Sequence, residues 1–246
     1  MSDALTSFGW DVLTWNMRGC GGTPNKLVTW YHSGKSDDLR AVVRYAQTLS
    51  YSEISLIGFS VGGNITLKYL GEEGRALARS ITQAVAISVP TDLRGSAEKL
   101  AKGENAVYMR YLLHPLRRRM REKSARFPGI FDISGLDRIK TFREFDARFT
   151  APFHGFSSVE EYWDRSSSRN YLSTISIPTL VLSALDDPFL SESCFPFALA
   201  ETHPHLFLET PSYGGHVGFL DSLRLSRTWL EERVARFLEN PSPALS

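Results

Sequence analysis

Short apolar runs and longer runs with helical spacing follow one another along most of the chain. The apolar runs are 4 to 6 residues long and rich in β-branched side chains, which is typical of buried strands. They lie at residues 12–15, 54–57, 85–89, 178–183 and 206–209. The runs with helical spacing lie at residues 37–49, 64–70 and 221–238. This order predicts an α/β protein with a mostly parallel sheet and helices on both faces.

The front of the chain carries two further local signals. Residues 1–10 resemble the end of a helix, and the run at 12–15 follows them. Ser36 is a suitable N-cap for the helix at 37–49, and Asp37 and Asp38 suit the positive end of its dipole.

Residues 91–171 show no further buried-strand pattern and are predicted to be helices and loops. Such an insertion predicts a helical cap, with the core formed by residues 1–90 and 172–246. Twelve of the 29 aromatic residues lie between Tyr108 and Tyr171. Two interpretations stay open, because these rings could wall an acyl pocket or could seat the cap on the core.

Residues 58–62 read GFSVG, a GxSxG pentapeptide between a predicted strand and a predicted helix. The small residues on either side of Ser60 allow a strand to turn sharply into a helix, which exposes the serine hydroxyl above the sheet. A chain of this length contains such a pentapeptide by chance about one time in ten. The context therefore carries the inference that Ser60 is a nucleophile rather than an ordinary turn serine.

An acid and a histidine follow Ser60 in the order that this motif requires. Asp186 and Asp187 come directly after the run at 178–183, and His216 follows the run at 206–209 and two glycines. Asp187 is favoured over Asp186 because it stands three residues after Ala184. Ala184 is a small residue at the position where serine hydrolases with this pentapeptide commonly carry the glycine of a GxxD turn. The alternative is that the two acids only initiate a turn before a proline.

These residue types support nucleophilic catalysis. A serine hydroxyl is a weak nucleophile until an imidazole accepts its proton, and a carboxylate fixes the imidazole tautomer and stabilises the imidazolium. Ser60, Asp187 and His216 are the predicted nucleophile, acid and base. The backbone amide of Val61, directly after the nucleophile, is a predicted oxyanion-hole donor.

Seven motifs together resemble the YheT-type branch of the α/β-hydrolase superfamily, a branch mostly assigned as candidate esterases. They are NMRGCGGTPN at 16–25, YHSG at 31–34, GFSVGGN at 58–64, REFD at 143–146, HGF at 154–156, DDPF at 186–189 and GGHVGF at 214–219. The resemblance extends from about residue 8 to the last helix. It implies an α/β-hydrolase fold with Ser60, Asp187 and His216 as catalytic residues.

The chain departs from this branch at its front. The resemblance implies three further strands and a His-Gly loop that donates a second oxyanion amide, and no His-Gly pair precedes Ser60. In the usual strand order one of those strands lies between residues 12–15 and 54–57. We therefore expect an N-terminally incomplete form of a longer protein. Loss of one oxyanion donor typically lowers the rate about 100 to 1,000-fold, so we expect weak esterase activity or none.

Composition and charge narrow the remaining function classes. The 246-residue chain has a net charge of +1, so no global attraction to nucleic acid or acidic membranes is expected. Cys20 and Cys194 are too few for a disulfide framework or a metal site. The glycine-rich loop at 19–24 lacks the third glycine of a dinucleotide fingerprint. We expect no cofactor and no metal, and a cytoplasmic location.

A basic stretch inside the predicted cap bears on membrane contact. It consists of Arg110, Arg117, Arg118, Arg119, Arg121, Lys123 and Arg126. A solvated helix face is the favoured interpretation, and contact with anionic lipid headgroups or acidic substrates is the alternative.

The favoured function is a serine hydrolase for carboxylic esters with short to medium acyl chains, acting through an acyl-serine intermediate on a small hydrophobic substrate. The alternative is a catalytically impaired hydrolase-fold protein that serves as a binding or structural module. Labelling of Ser60 by a fluorophosphonate separates the two. The oligomeric state has no sequence signal.

Overall fold

Four parallel strands form the sheet in the computed structural model, which describes residues 1–219 and 228–241. They are β1 (Ile54–Phe59), β2 (Ile81–Ile87), β3 (Thr179–Leu182) and β4 (Leu206–Glu209), adjacent in that order. In the register, Val85 of β2 lies opposite Ile57 of β1 and Leu180 of β3. The structure confirms the strands expected near 54, 85, 178 and 206.

Helices surround this sheet and fill the segment between β2 and β3. They are α1 (Ser2–Ser7), α2 (Ser36–Thr48), α3 (Val61–Glu73), α4 (Leu93–Leu100), α5 (Ala106–Arg126), α6 (Phe142–Phe145), α7 (Ala151–Phe153), α8 (Val159–Ser166), α9 (Phe197–Ala200) and α10 (Trp229–Glu239). A π-helical turn, Asp146–Thr150, joins α6 to α7. Single 3-10 turns occur at Gly74–Ala76, Gly103–Asn105, Leu136–Arg138, Ser168–Asn170, Leu172–Thr174 and Glu192–Cys194.

Strand β2 divides the core into two layers because successive side chains of a strand point to opposite faces. Ala84 and Ala86 pack into the cluster that contains residues of α2 and α3, such as Leu39 and Ile65. Val85 and Ile87 pack into the opposite cluster, which contains residues of α1 and α10. Helices therefore cover both faces of the sheet, as the sequence predicts.

The helical segment, residues 88–178 between β2 and β3, contains helices and turns and no strand, and the structure describes all of it. It has its own apolar cluster, in which Leu113, Met120, Phe145 and Phe149 are almost fully buried. These rings pack within the segment and against Trp30, which lies before β1, and both interpretations stay predictions.

The strand predicted at residues 12–15 is wrong. These residues run without assigned strand structure, and Val12 and Leu13 are exposed. A groove of about 530 Å³ lies between residues 10–15 and the outer edge of β1. Because a strand requires a hydrogen-bonded neighbour, the apolar pattern alone does not make one here. Within the described residues, β1 is the edge of the sheet.

Ser36 is not the N-cap of α2. It is the first residue of the helix, Lys35 precedes it, and no side chain caps this end. The Ser36 hydroxyl donates instead to Glu72 of α3, so a tertiary contact replaces the local one.

The last predicted helix, 221–238, is seen as α10 from Trp229 onward. Residues 220–227, including the beginning of that prediction, lie outside the described residues. The capping box of α10 pairs Thr228 with Glu231, which explains its start. Among the described residues, no helix combines the length and apolar character that crossing a bilayer requires.

Candidate active site

Ser60 lies at the sharp turn between β1 and α3. Its backbone has φ 50° and ψ −121°, a conformation that non-glycine residues rarely adopt. The Ser60 amide donates to the Ile87 carbonyl at the end of β2, at 2.8 Å. The turn is thus held by the neighbouring strand, and strained serines of this kind occur at functional sites.

Two glycines make this turn sterically feasible. A Cβ on Gly58 would lie 2.5 Å from the Gly62 carbonyl oxygen, and one on Gly63 would lie 2.6 Å from Val89 Cγ2. Gly62, by contrast, faces open space. The packing of β1 against the first turn of α3 therefore requires glycine at positions 58 and 63 and not at 62.

Asp187, His216 and Ser60 lie within hydrogen-bonding distance in series. His216 Nδ1 is 2.8 Å from Asp187 Oδ2, and His216 Nε2 is 3.0 Å from Ser60 Oγ. Because a carboxylate only accepts, Nδ1 carries the proton and the Nε2 lone pair faces the serine hydroxyl. The Asp187 carboxylate is buried, whereas the imidazole is 15% exposed. This arrangement can transfer the serine proton to Nε2.

The two adjacent acids have different contacts. Asp187 binds the imidazole, while Asp186 Oδ1 accepts the amides of Gly214 and Gly215 at 2.9 and 2.8 Å. Asp186 thereby holds the loop that carries His216. Asp186 and Asp187 both lie in the turn after β3, and the Asp187 amide closes this turn by donating to the Ala184 carbonyl.

The loop around His216 is further shaped by close contacts with the sheet. A Cβ on Gly214 would lie 2.5 Å from the Phe219 ring, so this position requires glycine. Val217 has φ 60°, and its amide donates to Ser88 Oγ at 3.1 Å. Ser88, also with positive φ, ends the β2 region. The histidine loop is therefore fixed from two strands.

Val61, the predicted oxyanion donor, is the first residue of α3. The first amides of a helix have no intrahelical partner, and the positive end of the helix dipole lies there. Its position suits an N–H that donates to the oxyanion that develops beside Ser60.

His32 and His154 do not join this site. Their rings contact each other at 4.8 Å between centroids, within the aromatic surroundings of Trp30 and Tyr162. Burial lowers the pKa of His32 to about 3 and the pKa of His154 to about 4. Both imidazoles are therefore neutral near pH 7.

The basic stretch of α5 is used partly inside the protein, unlike the solvated face that its sequence favours. The Lys123 side chain is buried, and its ammonium donates to the carbonyls of Leu27, Val28 and Thr29. Arg119 lies over the Tyr31 ring, 4.6 Å from its centroid. Other members, such as Arg118, remain exposed.

Four residues near the site have contacts that the sequence does not predict. Lys99 and Asn105 donate to the carbonyls of Asp187 and Pro188, and the Phe189 ring lies tilted against the His216 ring. Asn64 donates to the carbonyls of residues 33 and 166, far along the chain. Asn64 and Phe189 belong to the motifs GFSVGGN and DDPF, but neither motif indicates which atoms they contact.

Comparison with known proteins gives similarity over nearly the whole chain. A family model described as the alpha/beta hydrolase fold matches residues 1–223. YheT of Escherichia coli K12, named as a candidate esterase, is 33% identical over 96% of this chain and 70% of its own. The monoacylglycerol lipase of Saccharomyces cerevisiae is 30% identical over 96% of this chain and 54% of its own.

Solved structures agree on the fold. The Pyrococcus furiosus esterase Pf2001 superposes with a TM-score of 0.59 at 20% identity, covering 97% of this chain and 73% of the esterase. The chain thus spans about half to three quarters of the length of these proteins.

Proposed function

The chain belongs to the α/β-hydrolase family, in its YheT-type branch, and from that premise we propose that it is a serine hydrolase of carboxylic esters. The single observation that carries the proposal is the hydrogen-bonded series Asp187, His216 and Ser60 at a strained strand-to-helix turn. The esterase and lipase names of its relatives support the same class of reaction.

The reaction would proceed in two steps through Ser60. His216 Nε2 accepts the hydroxyl proton as Ser60 Oγ attacks the ester carbonyl, and the Val61 amide stabilises the oxyanion. Collapse of the intermediate breaks the bond to the alcohol, which leaves with the proton from Nε2. Water then attacks the acyl-serine while His216 Nε2 takes its proton. Collapse of this second intermediate breaks the bond to Ser60 Oγ, which receives the proton from Nε2, and releases the carboxylic acid. Asp187 holds Nδ1–H and stabilises the imidazolium throughout.

The substrate would be a small hydrophobic ester with a short to medium acyl chain. The helical segment would act as a cap, but its largest rings are occupied in internal packing. Phe189 and Tyr108 contact each other, and Phe189 contacts the His216 ring. These contacts place apolar rings next to the candidate base, and the acyl-chain preference is measured with a series of nitrophenyl esters.

A fluorophosphonate probe tests the nucleophile. We expect labelling of the wild type and of Ser173→Ala, an exposed serine control, and none of Ser60→Ala. Turnover of nitrophenyl esters should fall with acyl chains beyond medium length. A folded wild type that resists the probe would contradict the proposal and would support the non-catalytic alternative.

The acid assignment has its own test. Asp187→Asn replaces the acceptor of Nδ1–H and should lower kcat about 10,000-fold. Asp186→Asn keeps the imidazole contact and should retain much more activity. Circular dichroism verifies that both variants fold. A larger loss of kcat in the Asp186 variant would reverse the assignment.

A further inference from the structure

The loop after Asp187 returns an aromatic ring to the candidate base. Asp187 Oδ1 accepts the Phe189 amide at 2.9 Å, while Oδ2 of the same carboxylate contacts His216 Nδ1. The Phe189 ring lies against the imidazole with 4.2 Å between centroids and 32° between planes. One carboxylate therefore fixes both the edge of the imidazole and the residue that covers its face.

The helical segment holds this loop through its backbone. Lys99 of α4 donates to the carbonyls of Asp187 and Leu190, at 3.3 and 2.9 Å. Asn105, which is 3% exposed, donates to the Pro188 carbonyl at 3.0 Å. Three carbonyls of one short loop thus bind two side chains from the helical segment.

The Phe189 ring is also supported directly by α5. The Tyr108 ring meets it edge to face, with 5.0 Å between centroids and 71° between planes. Phe189 also packs against the apolar cluster of the helical segment. The ring is therefore held between His216 on one side and the helical segment on the other.

We propose that Phe189 is a positioning residue for His216, and that Lys99 and Asn105 set it in place from the helical segment. This inference rests on the proposed function and deepens it. The hydrogen bonds at Nδ1 and Nε2 fix the two nitrogens of the imidazole, but the ring can still tilt about the axis that joins them. An aromatic ring against its face restricts this rotation, and its π-electrons favour the imidazolium.

Phe189→Leu tests this role, because leucine stays apolar but has no flat ring. With a nitrophenyl ester, kcat should fall about 10 to 100-fold and KM should change less than threefold. Phe197→Leu of α9, an exposed phenylalanine, is the matched control and should change neither. A change in KM alone would make Phe189 a substrate contact and would overturn the proposal.

A spectroscopic readout keeps the proposal testable without turnover. In ¹⁵N-labelled protein, His216 should show mainly the Nδ1–H tautomer, and its signals are assigned with His216→Asn. In Phe189→Leu the two tautomers should mix, because the ring that restricts the imidazole is gone. Asp187, Asp186 and Lys99 remain in place, so a charge change does not explain such mixing.

Tyr108→Ala provides a second variant if the leucine variant fails to fold. It removes the support from α5, and Tyr108 is already 46% exposed. The change in the His216 tautomer ratio should have the same direction and be smaller. An identical tautomer ratio in wild type and both variants would overturn the proposal. If the wild type lacks activity while the variants show these tautomer changes, the proposed function alone is contradicted.

Discussion

Replacement of Asn64 should destabilise the protein strongly, because this one side chain makes three hydrogen bonds to the backbone. Asn64 is fully buried one turn after Ser60. Its Nδ2 donates to the carbonyls of Ser33 and Ser166, both at 2.8 Å, and its Oδ1 accepts the Ser168 amide at 2.9 Å. One amide group therefore joins α3 to two separate stretches of backbone.

The magnitude follows from the groups that lose their partner. Asn64→Ala removes three hydrogen bonds from backbone groups, two of them buried and one partly buried, and each loss of a buried partner costs about 1 to 3 kcal/mol. Since water can enter part of the vacated space, we expect a loss of about 3 to 5 kcal/mol. A typical domain has about 5 to 15 kcal/mol in total, so this variant should unfold at a much lower urea concentration.

Urea unfolding followed by circular dichroism measures this loss. Asn170→Ala is the matched control, because Asn170 is exposed and donates to the Asp164 carbonyl at 2.8 Å. We expect the control to lose less than about 1 kcal/mol. If Asn64→Ala lowers the free energy of unfolding by less than about 1.5 kcal/mol, or by no more than the control does, the stabilising role of the three Asn64 hydrogen bonds is refuted.

Two further predictions concern the turn and the buried titratable groups. Gly58→Ala should cost about 1 to 3 kcal/mol, because its Cβ would lie 2.5 Å from a carbonyl oxygen, whereas Gly62→Ala should stay within about 1 kcal/mol in thermal unfolding. Burial lowers the pKa of His32 to about 3 and of His154 to about 4, so the unfolded chain binds their protons first and stability falls as the pH drops below 6.5. Burial raises the pKa of Asp146 to about 6, which opposes this trend between pH 6 and 4. Solvent screens part of the effect at His154, the more exposed of the two imidazoles. We therefore expect the free energy of unfolding, measured in urea, to fall by about 2 kcal/mol from pH 7 to pH 5. A free energy of unfolding that rises over this range would contradict this prediction.

The three residues of the candidate site could be chosen from the sequence because each carries a local signal. Ser60 lies in a pentapeptide between a strand and a helix, and Asp187 and His216 each follow a strand. Parallel strands bring these ends to one edge of the sheet, so the spacing along the chain did not matter. Their catalytic roles stay predictions.

The positioning contacts could not be predicted in this way. Lys99 and Asn105 bind carbonyls more than 80 residues away, and a carbonyl is present at every residue. Lys123 likewise binds a loop some 95 residues earlier, so its charge suggested a solvated face. Residues that act on backbone atoms leave no pairwise pattern of side chains in the sequence.

The failed strand at residues 12–15 has a related cause. Apolar alternation describes which side chains a segment can bury, but a strand also needs backbone partners in register. Here the segment borders a groove beside β1 and finds no ladder within the described residues. Ser36 shows the same limit at a helix end, since Glu72 of α3 competes for its hydroxyl.

The groove along the open edge of β1 reaches the nucleophile turn, because Gly58, Phe59 and Gly62 line it. Ser60 is held by its amide bond to Ile87 of β2, on the inner side of β1. Asp187 follows β3, which pairs with β2 and β4, and the loop of His216 follows β4. Changes along the outer edge of β1 should therefore affect both the stability of the sheet and the position of Ser60, whereas Asp187 and His216 should keep their contact.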